Sequence, residues 1–120
     1  MSIRALLCTI AIGTLTGCAT TEVTSAPASS KVRASWYRDH KTASGELYNR
    51  HALTAAHPSA PMNSLFRVTH ARKGRSVVVR INDRGPARWT KRGIDLSERA
   101  ASDLGMLVEG VADVHLSRIQ

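Results

Sequence analysis

Arg75-Ser76-Val77-Val78-Val79-Arg80-Ile81-Asn82-Asp83-Arg84-Gly85-Pro86 is the stretch on which the fold turns. Residues 76–81 are almost wholly β-branched, a composition that packs well on a pleated surface and loses side-chain freedom in a helix. Asp-Arg-Gly-Pro then reads as a turn that ends the strand. Working backwards, Leu65-Phe66-Arg67-Val68-Thr69-His70 is a second run with partial alternation. Residues 71–75 between the two contain Gly74, so the pair is expected to form a hairpin. Further out, residues 32–37 form another strand candidate. Residues 111–118 alternate, with Ala112, Val114 and Leu116 on one side, as a half-buried strand does.

One helix stands out before that last strand. Ser97 suits an N-cap with Glu98 in the first turn, Ala100, Ala101 and Leu104 share a face, and Gly105 sits where a C-terminal cap closes the helix. Polar clusters at residues 41–49, 52–58, 79–86 and 93–97 punctuate these elements. At 120 residues there is room for one ordinary domain. Short strands with one short helix suit a small closed barrel, which hides its strand edges without disulfides.

The N-terminus reads differently. Arg4 is followed by an apolar run over residues 5–13, shorter than the roughly 20 residues a membrane-spanning helix needs, so residues 1–17 read as a signal peptide. Leu15-Thr16-Gly17-Cys18 resembles the lipobox at which bacterial signal peptidase cuts before a lipid-modified cysteine. Cys8 lies in the segment to be removed, so processing leaves Cys18 as the one thiol and no internal disulfide forms. Ala19 stands where Asp holds some lipoproteins at the inner membrane, which points to the outer membrane and its periplasmic face. Residues 18–30 are small and polar and read as a flexible tether, with the folded domain over residues 31–120.

Loss of Arg4 leaves 16 basic against 9 acidic residues, a formal charge of +7 in place of +8. Outside the cytoplasm such a field concentrates stem-peptide carboxylates, teichoic acids or lipid head groups. Nucleic acid is disfavoured as a partner by the export signal and by the lack of a basic strand interleaved with aromatics.

In chain order, Thr42-Ala43-Ser44-Gly45-Glu46, Ala52-Leu53-Thr54-Ala55-Ala56-His57, residues 75–86 and Ile94-Asp95-Leu96-Ser97 together resemble the signature of the RlpA (rare lipoprotein A) family of septal ring lytic transglycosylases. The likeness covers nearly all of residues 33–117. It implies a mainly β fold, the six-stranded double-psi β-barrel with one or two short helices. It also implies action on the glycan strands of peptidoglycan, cutting between N-acetylmuramic acid and N-acetylglucosamine with a 1,6-anhydro product. The rival expectation is a non-catalytic, expansin-like binding or wall-loosening module.

Carried over from the family, the functional carboxylates fall on Glu46 and Asp83, with the accompanying histidine on His57. Cleaving a glycosidic bond needs a proton on the leaving oxygen and negative charge near an oxocarbenium-like centre, which two carboxyls in different environments supply. Asp83, at the end of an apolar strand, is expected to act as acid and then base, with burial raising its pKa and nearby Arg80 and Arg84 opposing. Glu46 would stabilise charge or orient the sugar, and the two roles can be exchanged. His57 would position a carboxyl or a substrate hydroxyl. Thr42, Ser44, Tyr48, Trp36, Arg84 and Asp95 are the expected substrate-binding residues, although Asp95 also reads as part of the helix start and as a partner for Arg84. Trp36, Tyr37, Tyr48 and Trp89 are the aromatics able to stack on sugars or pack in the core; Trp36 and Tyr48 are placed near the groove.

Arg38-Asp39-His40-Lys41 replaces the glycines and aromatic usual in the family, which puts that groove wall in doubt. The chain ends at the barrel, so septal targeting is not implied. Neither a cofactor nor a metal is expected: His40, His51, His57, His70 and His115 show no ligand spacing. The chain is expected to act as a monomer held at the membrane by Cys18, with cell-division proteins as further partners.

Overall fold

The computed structural model describes Gly13, Gly17 and residues 28–120. The expected signal peptide apart from Gly13 and Gly17, the expected lipidation site Cys18 and most of the expected tether therefore lie outside the described residues. Six strands follow: β1 (Ser29–Trp36), β2 (Thr54–Ala56), β3 (Leu65–His70), β4 (Ser76–Asp83), β5 (Ile94–Leu96) and β6 (Val111–Arg118). A 3-10 turn (Arg88–Thr90) precedes β5, and one helix, α1 (Glu98–Leu104), lies between β5 and β6. The strands close into a barrel in the order β1-β5-β2-β4-β3-β6. The first strand begins at Ser29, inside the stretch expected to be tether, because its backbone pairs with β6 from Ser29↔Ser117 onwards.

The hairpin expected around Gly74 is present: β3 and β4 pair antiparallel from Leu65↔Arg80 to Thr69↔Ser76. Gly74 takes φ +74, a conformation that glycine adopts without a Cβ penalty. Alternation then sets the interior. Phe66 and Val68 from β3, Val79 and Ile81 from β4 and Ala112, Val114 and Leu116 from β6 are buried together with Ile94 and Leu96 of β5. Helix α1 packs against the barrel and fully buries Ala100, Ala101 and Leu104 in one core with Met106. Ser97 Oγ accepts the Ala100 N–H as the N-cap, and Gly105 at φ +75 closes the helix.

Two elements depart from the sequence reading. Residues 52–58 and 93–97, read as polar connections, contain strands β2 and β5. Each is three residues long, too short to show a period, and each has a parallel partner: β2 pairs with β4 and β5 with β1. Gly93 makes the second pairing fit, since a Cβ there would stand 2.7 Å from Val32 Cβ.

Candidate active site

Residues paired directly across neighbouring strands present their side chains to one face of a sheet. Trp36, Leu96, Ala55 and Ile81 make one such row, and it faces the core. One residue along, Ser35, Asp95, Ala56 and Asp83 make the next row, on the opposite face. Between Ile81 and Asp83 the strand carries an extra residue, Asn82, because Ala55 pairs with Ile81 while Ala56 pairs with Asp83. A bulge of this kind re-aims side chains at a strand end. Here it lets both Asn82 and Asp83 meet the same overhanging segment, residues 37–48.

That segment is a tight turn built by its own side chains. Thr42 N–H and Oγ1–H both reach Glu46 O at 2.9 Å, Ser44 Oγ is 2.9 Å from Thr42 Oγ1, and Gly45 takes φ +90. The turn is pinned to the strand end: Ser44 N–H donates to Asn82 O, and Ala43 N–H donates to Asp83 Oδ1 at 2.8 Å. Arg84 N–H donates to the same Oδ1 at 2.8 Å, and Tyr37 O–H donates to Oδ2 at 2.8 Å. The buried carboxyl thus faces three donors.

Glu46 has a separate set of partners. Arg80 grips it with two hydrogen bonds of 2.6 and 2.8 Å, and Asn82 and Ser44 add to them. The Arg80 bonds hold the exposed Glu46 carboxyl down at about 2, despite some opposing desolvation. Asn82 itself is buried, and its Oδ1 has no hydrogen-bond partner.

His57 closes the other side. Its backbone N–H donates to Asp83 O, and its ring lies stacked on Phe66 with centroids 5.3 Å apart. Nδ1 accepts the N–H groups of Ser59 and Ala60, which leaves the ring proton on Nε2. Burial, then the charge of Arg84, pushes its pKa below the ordinary histidine value, so the ring is neutral at pH 7. The Arg84 guanidinium is engaged with the carbonyls of His57 and Ala60.

A family profile described as "Lytic transglycolase" matches residues 29–116. Endolytic peptidoglycan transglycosylase RlpA of Campylobacter jejuni is 49% identical over 90 residues, covering 72% of this chain and 32% of that protein. RlpA of Neisseria meningitidis is 48% identical over 90 residues, covering 72% of this chain and 37% of the relative. The chain belongs to the RlpA family. It spans about a third of the length of these RlpA relatives. Among solved structures, a Streptomyces papain inhibitor superposes with a TM-score of 0.64 at 20% identity, covering 78% of this chain and 96% of its own. A mutant Clavibacter michiganensis expansin in complex with cellohexaose gives 0.61 at 20% identity, covering 78% of this chain and 51% of its own. These two show the fold, the double-psi barrel of the RlpA domain.

Within this RlpA barrel, Asp83, Glu46, His57, Thr42 and Ser44 gather at one end, with Asp95 in the same outer row and Arg84 beside Asp83, while Trp36 and Tyr48 have other partners. Trp36 belongs to the inward row and donates its indole N–H to Leu107 O. Tyr48 is a brace, donating to Tyr37 O at 2.5 Å and accepting from Glu98 N–H. The aromatic on Asp83 is Tyr37, which alternation from Trp36 could have placed. Asp95 is bound by Ser35 Oγ–H and lies 3.8 Å from Arg92; the expected pairing with Arg84 does not form, because Arg84 turns to the His57 turn. Arg80 likewise acts on Glu46 and not on Asp83, since three residues of extended chain separate their positions by about 10 Å. Two surface cavities lie apart from the row. One of about 500 Å³ is walled by β1, β6 and the β3–β4 connection; another of about 420 Å³ lies beside Tyr48 and Arg38. Among the described residues no group of three His, Cys, Asp or Glu side chains converges as a metal site would need.

Proposed function

We propose that this barrel is a peptidoglycan lytic transglycosylase that cuts the bond between N-acetylmuramic acid and N-acetylglucosamine. The observation that carries the reading is the buried Asp83 carboxyl on the outer row, with Glu46 and His57 on segments hydrogen-bonded to the same strand end. Asp83 gives a proton to the glycosidic oxygen as the bond to C1 breaks, and Glu46, ionised and held by Arg80, offsets positive charge at the oxocarbenium-like centre. The muramic acid C6 hydroxyl then attacks C1 and returns its proton to Asp83. No water is consumed and the product is the 1,6-anhydro sugar, an internal attack favoured by proximity. His57 Nε2–H is a donor for a sugar hydroxyl.

The barrel works as a monomer in the cell envelope, held through lipid on Cys18 at the periplasmic face of the outer membrane, within reach of division proteins. Thr42 and Ser44 shape the turn over the sugar, and Tyr48, Asp95 and Arg84 support the groove around it. The test is digestion of purified sacculi and of stem-peptide-stripped glycan with the full chain, the products read by mass. Anhydro-ended fragments that fall about 1,000-fold in Asp83→Asn are the expected result. Release of reducing ends by hydrolysis, or full activity in Asp83→Asn, would end the assignment. Glycan strands that pellet with the protein yet stay intact would replace it with a binding module.

A further inference from the structure

Each carboxylate oxygen offers two acceptor sites. Asp83 Oδ1 has both filled by the backbone N–H groups of Ala43 and Arg84, which the fold holds in place. Oδ2 has one filled, by the Tyr37 hydroxyl at 2.8 Å. Oδ2 is therefore the oxygen with a site left for a proton or a sugar, and Tyr37 fixes which site that is.

We propose that Tyr37 is a positioning residue for the reaction: by holding one acceptor site of Asp83 Oδ2 it directs the transferable proton to the other, and it sets the pH range over which Asp83 acts as an acid. The inference rests on the transglycosylase reading. In the first step the proton on Oδ2 passes to the leaving oxygen, and the carboxylate left behind is stabilised by the Tyr37 O–H bond. In the second step the C6 hydroxyl proton returns to Oδ2. The Tyr37 O–H bond stays intact throughout, so Tyr37 is neither acid nor base.

The surroundings suit that role. Burial, and then the bond to Asp83, push the Tyr37 hydroxyl well above the ordinary phenol value, so it remains a donor at any working pH. Its ring is fixed by Tyr48, whose centroid lies 5.2 Å away and whose hydroxyl ties Tyr37 O to the first turn of α1. Other charged groups face the pair from several elements. Asp39 bears on Tyr37, and Arg84 and His57 adjoin Asp83. Glu46 with Arg80 lies across the 42–46 turn, and Asp95 with Arg92 lies two strands along the row. Glu46 is matched by Arg80, Asp95 by Ser35 and Arg92, and Asp39 Oδ1 accepts the His40 N–H, whereas Tyr37 is the one side chain bonded directly to Asp83 Oδ2 among the described residues.

The experiment compares pH–rate profiles of anhydro-product release for the full chain, Tyr37→Phe and Tyr48→Phe, with Asp83→Asn alongside. Tyr37→Phe keeps the ring and loses one bond to an ionised group. Its limb of falling rate should move to higher pH by about one unit, with a lower plateau and an unchanged KM. Tyr48→Phe loosens the brace without touching Oδ2, so its plateau falls but its limb stays. A Tyr37→Phe limb that does not move, or a Tyr48→Phe limb that moves as far, overturns the role of Tyr37 while leaving the activity standing. If the unmodified chain releases no anhydro product, or Asp83→Asn does so normally, the transglycosylase reading falls and the role of Tyr37 with it. Melting curves of both variants confirm that the barrel is intact.

Discussion

The two walls of this barrel are built by different rules. On one side β1, β6, β3 and β4, each six to eight residues long, pair antiparallel and alternate apolar and polar side chains. On the other, β5 and β2 are three residues each, and each is joined by parallel pairing to one end of the longer wall. The long wall supplies eight of the sixteen buried core residues and the short wall three. The short wall supplies little area but carries Asp95 and Ala56 beside Asp83, and so floors the polar row. Length builds stability here, while the short parallel strands bring groups distant in sequence to one place.

Three measurements press on that contrast. The largest effect is expected from Ile81→Ala, where the fully buried side chain of the long wall meets Ala55 of the short one. A loss of about 2–5 kcal/mol in denaturant unfolding is expected, from lost burial plus the cavity left behind. A loss below about 1 kcal/mol would mean that the long wall is not the main store of stability. Next, Gly93→Ala puts a methyl where Val32 Cβ stands 2.7 Å away, at the seam where β5 meets β1. It should cost about 1–3 kcal/mol through overpacking, read as a lower midpoint of thermal unfolding. An unchanged midpoint would show that the seam yields freely.

The smallest effect concerns the clasp between Glu46 and Arg80. The folded carboxyl sits at about 2, below its ordinary 4.5, because Arg80 donates to it. A depressed carboxyl stabilises the fold above its unfolded value and loses that contribution as pH falls through the folded one. The stability difference between the native chain and Arg80→Met should therefore be constant above about pH 5 and shrink between about 4.5 and 2. A difference that is flat down to pH 2 would show that the clasp does not hold in solution, as exposed ion pairs often do not.

What the sequence disclosed follows the same division. Alternation in residues 65–70 and 111–118, the β-branched run 76–81, the hairpin around Gly74 and both caps of α1 are local signals, and each is present in the fold. Thr54–Ala56 and Ile94–Leu96 left no periodic trace, because three residues carry none and their pairing partners lie far along the chain. The same holds for the site. Asp83, Glu46 and His57 were legible only through the family likeness, since nothing local says that residues 42–46 fold over residue 83. The bulge at Asn82 was hidden as well: it exists only relative to Ala55 and Ala56 on the neighbouring strand. Tyr37 stayed in the shadow of Trp36, although one step of strand alternation separates an inward ring from one that reaches Asp83.

The first and last strands lie side by side, with Ser29 opposite Ser117. The chain thus comes in and goes out at one spot on the surface, like the two leads of a plug. Extra sequence of any size can be attached there, ahead of β1 or beyond β6, without threading past the Asp83 row or unpairing a ladder. A barrel wired this way can be moved between longer polypeptides as a unit while its neighbours change.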